Sequence, residues 1–176
     1  YFEEQAATTM ILDASPYSLG GILLENGQPE TYFTSPLSEH DVRIHGFPVG
    51  DHRGQQAWEC LTVLVAVSVW SYRWAKGRLT IYIKSDSKSA LALAERLKVG
   101  PSASLIGQEL ALIYHEAGYE PKVEHLPGVA NQLADILSRL NDPKKSNITL
   151  PPILANLQPT SVPTRYSSWY KTLATS

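Results

Sequence analysis

The chain has 176 residues, 43% of them hydrophobic, with a formal net charge of −2 and a pI near 6.2. This length and apolar content predict one globular domain with a sizeable core. The charge gives no electrostatic indication of nucleic-acid binding, which clustered Lys and Arg would provide. The single cysteine, Cys60, excludes a disulfide framework and a cysteine zinc site, so we expect a reducing, intracellular environment.

The longest apolar stretch, residues 57 to 72, contains Glu59 and is shorter than the roughly 20 apolar residues that cross a bilayer. We therefore interpret it as a buried helix and expect no membrane partner. The chain begins at Tyr1 instead of Met and shows no signal peptide, and we expect it to be part of a longer polypeptide.

The first part of the chain predicts three antiparallel strands. Apolar runs bounded by turn residues place them at residues 6 to 12, 19 to 24 and 30 to 34. Asp13 and a turn at Ser15 follow the first strand, and Asn26-Gly27 is a strong hairpin signal between the other two. Residues 35 to 54 are rich in Pro, Gly, His and charge, which predicts a loop.

The second part predicts alternating helices and strands. In chain order they are a helix at 55 to 74 closed by Gly77, a strand at 79 to 84, helices at 87 to 97 and around 106 to 117, a strand at 120 to 126, and a short amphipathic helix after Asn131. Pro121 places the last strand at a sheet edge. This order is typical of an α/β fold with a mixed sheet and helices on its faces.

We expect the domain to span residues 1 to 140. Residues 141 to 176 form a Pro-, Ser- and Thr-rich C-terminal extension, which we interpret as an extended tail lying across the body. Trp169 and Tyr170 could anchor its end.

Four acidic residues stand at the ends of apolar elements or within them: Asp13, Glu59, Asp86 and Asp135. Three have simple structural explanations. Asp13 could cap its turn, Asp86 could cap the next helix, and Asp135 could pair with Arg139 one turn later. Glu59 has no Lys or Arg one turn away, so a functional role is favoured there.

A metal site would explain these carboxylates together. If the first and fourth strands are adjacent and parallel, Asp13 and Asp86 emerge at the same edge of the sheet. Their repulsion needs a counter-charge, and Mg²⁺ binds oxygen ligands. Two such ions about 3.5–4 Å apart can serve an in-line phosphoryl displacement. His125 could reach the same edge, although a lone histidine at a strand end is more often structural.

Several motifs resemble those of ribonuclease H domains from gypsy-class LTR retrotransposon reverse transcriptases. Ile11-Leu12-Asp13-Ala14-Ser15 followed by Leu19-Gly20-Gly21 resembles the first-strand hairpin of that family. The others follow in the family's order: Trp58-Glu59, Ser85-Asp86-Ser87, His125-Leu126-Pro127-Gly128 with Asn131, and Ala134-Asp135-Ile136-Leu137-Ser138-Arg139. The resemblance covers about residues 6 to 140. It implies a ribonuclease H-like fold: a five-stranded mixed sheet, three antiparallel strands then two parallel, with helices on both faces.

The resemblance implies an endonuclease that cleaves the RNA strand of RNA–DNA hybrids and leaves 5′-phosphate and 3′-hydroxyl ends. Asp13 would bridge two Mg²⁺ ions, for which Mn²⁺ can substitute. Asp135 would complete the site of the nucleophilic water, and Glu59 and Asp86 would complete the other. His125 would assist proton transfer or product release.

The resemblance also implies partners. They are the RNA–DNA hybrid and the polymerase domain of the same polyprotein, in a cytoplasmic particle or the nucleus. Candidate substrate-binding residues are Ser15, Gln55, Ser87, Asn131 and Arg139.

Two features depart from the family pattern. Residues 99 to 104 leave no room for the extra basic helix with which some members grip the hybrid. The nearest basic surface consists of Arg73, Lys76, Arg78, Lys84, Lys88, Arg96 and Lys98, and a merely solvated face is equally compatible with it. The loop at 37 to 54 is also long. His40, His45, Asp51 and His52 could bind zinc there, but exposed loop histidines are the simpler interpretation.

Two alternatives belong to other functional classes. One is a catalytically silent ribonuclease H-like tether inside a reverse transcriptase, against which the intact carboxylates argue. The other is a DNA integrase or transposase of the same superfold, which lacks the His-Leu-Pro-Gly and Ala-Asp-x-Leu-Ser-Arg ending found here.

Overall fold

A computed structural model describes residues 7–72, 80–117, 121–126, 131–145 and 147–174. Within these ranges the strands are β1 (Ala7–Ala14), β2 (Ser18–Glu25), β3 (Gln28–Pro36), β4 (Thr80–Ser85) and β5 (Lys122–His125). They form one sheet in the order β3-β2-β1-β4-β5. The pairs β1 with β2 and β2 with β3 are antiparallel, whereas β4 is parallel to both β1 and β5. The predicted mixed sheet is confirmed.

The turn between β2 and β3 has the conformation that its sequence predicts. Asn26 and Gly27 have φ angles of 51° and 80°, both positive. Two consecutive residues with positive φ are the requirement of the hairpin turn that Asn-Gly favours. At the other side of the sheet, β5 lies at the edge directly after Pro121, as predicted, because an edge strand does not need the missing proline N–H.

The helices are α1 (Glu39–His45), α2 (Gln55–Trp70), α3 (Lys88–Arg96), α4 (Ser104–Ala117), α5 (Gln132–Arg139), α6 (Pro152–Ala155) and α7 (Lys171–Ala174). None of these described helices has both the length and the apolar character needed to cross a membrane. The last residues of the predicted second-part helix, its closing Gly77 and the start of the fourth strand at residue 79 lie outside the described ranges.

The predicted loop at residues 35 to 54 was wrong in part, because it contains α1 and a short 3₁₀ helix at His52–Gly54. The Asp41 carboxylate accepts a hydrogen bond of 2.9 Å from the Ser38 N–H at the start of α1. Gly46 ends the helix with a φ of 82° and donates its N–H to Val42. Both are local helix-end signals. They lie in a stretch whose polarity favoured the loop interpretation.

Two hydrophobic cores lie on opposite faces of the sheet. On one face, Met10, Leu12, Ile81 and Ile83 pack with α2, whose sides are nearly all buried. A helix that is apolar all round belongs in a core, as predicted for this stretch. On the other face, Ile22 and Tyr32 of β2 and β3 pack with Ala134 and Leu137 of α5 and Leu154 of α6. Helices therefore cover both faces.

The C-terminal segment packs against the body and crosses from one face to the other. Leu154 lies in the second core and Tyr170 in the first, and both are fully buried. Between them, Thr160 donates its N–H to the Tyr32 carbonyl of edge strand β3, at 2.7 Å, and its hydroxyl accepts from Trp70 Nε1, at 3.0 Å. The segment therefore covers an edge that would otherwise present unpaired backbone groups. The division at residue 140 stays a prediction.

A buried ion pair holds the C-terminal segment to α1. Arg165 Nε and Nη2 donate to the two Asp41 oxygens at 2.8 and 2.9 Å, and Nη1 donates to Ser35 Oγ at 2.8 Å. Arg165 is 2% exposed and Asp41 is fully buried. This arrangement neutralises both charges inside the protein.

His45 is half-buried. The prediction of an exposed loop histidine at this position was wrong. Its Nε2 lies 2.9 Å from the Tyr170 hydroxyl, so it packs beneath the C-terminal segment. Burial lowers the pKa of His45 to about 4. The histidine is therefore neutral in this contact.

Candidate active site

Asp13 and Asp86 lie at the carboxyl ends of two adjacent parallel strands. The register pairs Ile11 of β1 with Lys84 of β4, and the same offset places Asp13 level with Asp86. Asp13 is half-buried and Asp86 is exposed. Burial raises the pKa of Asp13, and the negative charge of Asp86 adds to this shift. The strand arrangement that would bring these aspartates to one edge is thus present.

Helix α5 brings Asp135 to the same place because it packs directly on the backbone of β2. Asp13 pairs with Gly20 across β1 and β2. A Cβ on Gly20 would lie 2.8 Å from Leu137 Cβ and from Ser138 N. Only glycine allows this close approach. The charge of Asp135 then contributes, with burial and the charge of Asp86, to the raised pKa of Asp13.

Hydroxyl groups from the hairpin satisfy carbonyls at the end of α5. Thr34 Oγ1 donates to the Leu137 carbonyl at 2.8 Å, and Ser15 Oγ donates to the Ser138 carbonyl. The last carbonyls of a helix lack partners within the helix, so such donors fix its end. Ser138 Oγ in turn lies 3.3 Å from Asp13 Oδ2. These contacts set the position of Asp135 relative to β1.

We expect Gly20→Ala to destabilise the protein by about 1 to 3 kcal/mol, because the added methyl group would force α5 away from β2. Gly100→Ala is the matched control. A Cβ at Gly100 has no atom within 4 Å, and its φ of −73° suits alanine. Urea unfolding of both variants measures the difference. Equal stability would mean that α5 does not pack closely on Gly20.

Glu59 reaches the strand ends from α2, on the opposite face of the sheet from α5. Gln55 Nε2 donates to Glu59 Oε1 at 3.2 Å and to the Ala14 carbonyl at 2.7 Å. Ser87 Oγ donates to Glu59 Oε2. Glu59 is therefore tied to the residues that follow Asp13 and Asp86 in the sequence.

The electrostatic centre of the site is Asp13. Burial raises its pKa to about 7, and the charges of Asp86 and Asp135 contribute to the same shift. Arg139 Nε donates to Asp135 Oδ1 at 2.8 Å, which is the predicted i, i+4 pair. One arginine thus faces several carboxylates, and the site has an excess of negative charge.

The donor set fits divalent cations in its chemistry. Carboxylate oxygens are the ligands of hard cations such as Mg²⁺, and a cation would relieve the repulsion that raises the pKa of Asp13. In the described part of the chain, no three His, Cys, Asp or Glu side chains are grouped so as to hold a metal ion. Glu59 and Asp135 are hydrogen-bonded to Ser87 and Arg139.

The structure excludes two of the simple structural explanations, the helix cap proposed for Asp86 and the turn cap proposed for Asp13. Ser87 caps α3 by accepting from the Ala90 N–H at 3.1 Å, so Asp86 is not the capping residue. In the turn after β1, the N–H groups of Tyr17 and Ser18 both donate to Ser15 Oγ at 3.2 Å. Asp13 therefore does not hold these turn amides.

The remaining predicted site residues lie around this edge. His125 is exposed at the end of β5, where it pairs with Ser85 in the sheet register. Asn131 is 1% exposed directly before α5, and its side-chain amide has no hydrogen-bond partner among the described residues. Ser15 is 1% exposed and its hydroxyl is fully engaged within the protein. Pro127 and Gly128 lie outside the described ranges.

Sequence reasoning missed the parts played by Gly20, Thr34 and Ser138. Ser138 follows Asp135 by three residues and so shares its helix face, a signal that could have identified it. Gly20 belonged to a recognised motif, but its contact with α5 had no signal in the sequence. Thr34 had none either, because its partner lies 103 residues away.

The predicted basic surface is divided. Arg73, Lys76 and Arg78 lie outside the described ranges. Lys84 pairs with Glu124 at 3.4 Å and Arg96 with Glu95 at 3.7 Å, whereas Lys88 and Lys98 are exposed. The link between α3 and α4 contains only a short 3₁₀ turn at Pro101–Ala103 and no additional helix, as predicted for this described stretch.

Neither a protein-family model nor a curated protein sequence matches the chain. Among solved structures, it resembles LC11-RNase H1 in complex with an RNA/DNA hybrid, with a TM-score of 0.50 and 11% identity over 76% of this chain and 93% of that one. A structure of LC11-RNase H1 isolated from compost by a metagenomic approach is similar, with a TM-score of 0.49 and 11% identity over 77% and 93% of the two chains. The sheet order and the helices on both faces agree with the structural similarity to the LC11-RNase H1 complex. The chain has the ribonuclease H-like fold.

Proposed function

We propose that this domain hydrolyses the RNA strand of RNA–DNA hybrids with the help of divalent cations. The observation that carries the proposal is the meeting of three aspartates at one sheet edge: the register of β1 and β4 sets Asp13 level with Asp86, and the packing of α5 on Gly20 brings Asp135 to the same place. The fold supports it, since a protein of similar fold has been solved in complex with an RNA/DNA hybrid. The ordered sequence motifs around these carboxylates support it independently.

In this proposal Asp13, Glu59, Asp86 and Asp135 hold two Mg²⁺ ions, for which Mn²⁺ can substitute. The cations supply charge stabilisation for the attacking and leaving oxygens of an in-line phosphoryl displacement. Asp13 would help to hold both ions, because Asp86 is level with it across β1 and β4 and α5 brings Asp135 to the same edge. Arg139 Nε donates to Asp135 Oδ1 and fixes the position of that carboxylate.

His125 is exposed and lies next to the end of β4. We assign it the transfer of a proton to the leaving group or assistance in product release. Its loss should slow cleavage less than the loss of Asp13, because a positioned acid–base group contributes only part of the rate enhancement.

The proposal extends to a retroelement context. The gypsy-class motifs support a reverse transcriptase whose polymerase domain, in the same polyprotein, supplies most of the affinity for the hybrid. The site of action would be a cytoplasmic particle or the nucleus. Among the basic side chains that the structure describes, Lys84 and Arg96 are paired with Glu124 and Glu95, which agrees with weak, salt-sensitive binding by this domain alone.

A labelled hybrid incubated with the protein and Mg²⁺ or Mn²⁺ tests the proposal. We expect cleavage of the RNA strand to fragments with 5′-phosphate and 3′-hydroxyl ends, and none with a chelator or with duplex DNA. A hybrid left intact, even by a fusion to the polymerase domain, would favour a silent tether. Strand-transfer products from DNA ends would favour an integrase.

A further inference from the structure

Both carboxylate oxygens of Glu59 accept hydrogen bonds from side chains of this protein. Gln55 donates to Oε1 and Ser87 donates to Oε2. A glutamate has several rotatable bonds, so an isolated one would sample many positions around the strand ends. Hydrogen bonds to a charged acceptor are stronger than those between neutral groups. The two donors therefore restrict Glu59 to one position.

Each donor is itself fixed to a strand that ends in a site aspartate. The Gln55 amide also donates to the carbonyl of Ala14, the residue after Asp13. Ser87 follows Asp86, and its N–H donates to Ser85 Oγ at 3.1 Å at the end of β4. Gln55 and Ser87 thus connect Glu59 to β1 and β4 separately.

The Ser87 hydroxyl has no proton left to donate to a substrate. Its proton goes to Glu59, and its oxygen accepts from the Ala90 N–H at the start of α3. The residue is 8% exposed. Gln55 is similarly engaged, because its amide nitrogen donates to two acceptors within the protein.

From this geometry we infer that Gln55 and Ser87 are positioning residues, which hold Glu59 between the ends of β1 and β4 for cation binding. Sequence reasoning had placed both among the substrate-binding residues. The inference rests on the proposed function, because it assigns Glu59 a part in holding the cations. Partners that orient a metal ligand typically contribute about 10- to 100-fold in metal affinity or activity.

Substitutions at Ser87 separate positioning from helix capping. Ser87→Gly removes the donor to Glu59, but glycine is an acceptable residue at a helix N-cap, so α3 is largely preserved. Ser87→Thr keeps the hydroxyl for both contacts. Gln55→Met removes the amide with little change in size, and Gln56→Met is its matched control, because Gln56 is the exposed neighbour on α2.

Calorimetric titration of each folded variant with Mn²⁺ alone is the deciding measurement, accompanied by kcat and KM on the hybrid. We expect Ser87→Gly and Gln55→Met to weaken Mn²⁺ affinity about 10-fold or more and to lower kcat. Ser87→Thr and Gln56→Met should match the wild type in both. A purely structural role would lower the melting temperature without changing the affinity.

Unchanged Mn²⁺ affinity in Ser87→Gly and Gln55→Met would overturn the inference, as would a raised KM with unchanged kcat, which is the signature of lost substrate binding. Wild-type protein that binds no Mn²⁺ would also overturn it. A wild type that binds Mn²⁺ but leaves the hybrid intact would instead contradict the proposed hydrolysis, and the affinities of the variants would still decide the positioning role.

Discussion

Asp13→Asn is expected to abolish cleavage of RNA–DNA hybrids while leaving the protein as stable as the wild type, or more stable, above pH 7. The loss of activity follows from the proposed function, in which Asp13 contacts both cations. The gain in stability follows from the electrostatics of the folded state. Burial and two neighbouring carboxylates raise the pKa of Asp13 to about 7 from 3.8.

The sign of this stability effect depends on pH. Because the folded pKa is raised, the folded protein binds the Asp13 proton more tightly than the unfolded chain does, and stability is lost as pH rises from about 4 through about 7. The asparagine cannot ionise and avoids this loss. We therefore expect Asp13→Asn and the wild type to have nearly equal free energies of unfolding at pH 4. Above pH 7 the free energy of unfolding of the variant should be larger by about a few kcal/mol.

Urea unfolding of both proteins between pH 4 and pH 8, with a chelator present, measures this difference. Glu95→Gln is a suitable control, since Glu95 is an exposed carboxylate whose only described ion pair is a 3.7 Å contact with Arg96. It should show no comparable dependence on pH. A variant Asp13→Asn that is strongly destabilised at every pH would point to a structural role for the carboxylate in the turn.

Arg165→Ala is expected to destabilise the protein by about 3 to 5 kcal/mol, because it leaves the charge of Asp41 buried without its partner. Asp41 is fully buried, and Arg165 donates to both of its oxygens. Such a loss is a large fraction of the total stability of a typical domain. It would also release the C-terminal segment from α1.

The matched control is Arg43→Ala, which removes an exposed arginine whose 3.8 Å pair with Glu39 lies at the surface. An exposed pair contributes about 0 to 1 kcal/mol. Urea unfolding at neutral pH compares the two variants. If Arg165→Ala cost no more than Arg43→Ala, the C-terminal segment would not be docked on α1 in solution.

Local signals in the sequence were sufficient for most of the fold. The Asn26-Gly27 pair identified a hairpin turn. The alternation of Ile81 and Ile83 and the apolar stripe of α5 indicated which face of each element is buried. The apolar face of an element is set by residues that are close together in the sequence. The sequence alone therefore indicates which face is buried. The order of elements then limited the topology to a mixed sheet covered on both faces.

The sequence also singled out Asp13, Glu59, Asp86 and Asp135, since carboxylates beside apolar strands and helices are unexpected in a core. It could not say how they interact. The approach of Asp86 and Asp135 to Asp13 depends on strand register and on the packing of α5 against Gly20. Both are relations between distant parts of the chain.

The polar partners were decided only by the tertiary structure. Arg165 and Asp41 are 124 residues apart, and neither lies in a pattern that names the other. Gln55 and Ser87 are residue types that often bind ligands. In this protein the Gln55 amide nitrogen and the Ser87 hydroxyl donate to Glu59 instead. Apolar periodicity is local, whereas a polar group in the interior pairs with whichever partner the fold brings near, and that partner can come from anywhere in the chain.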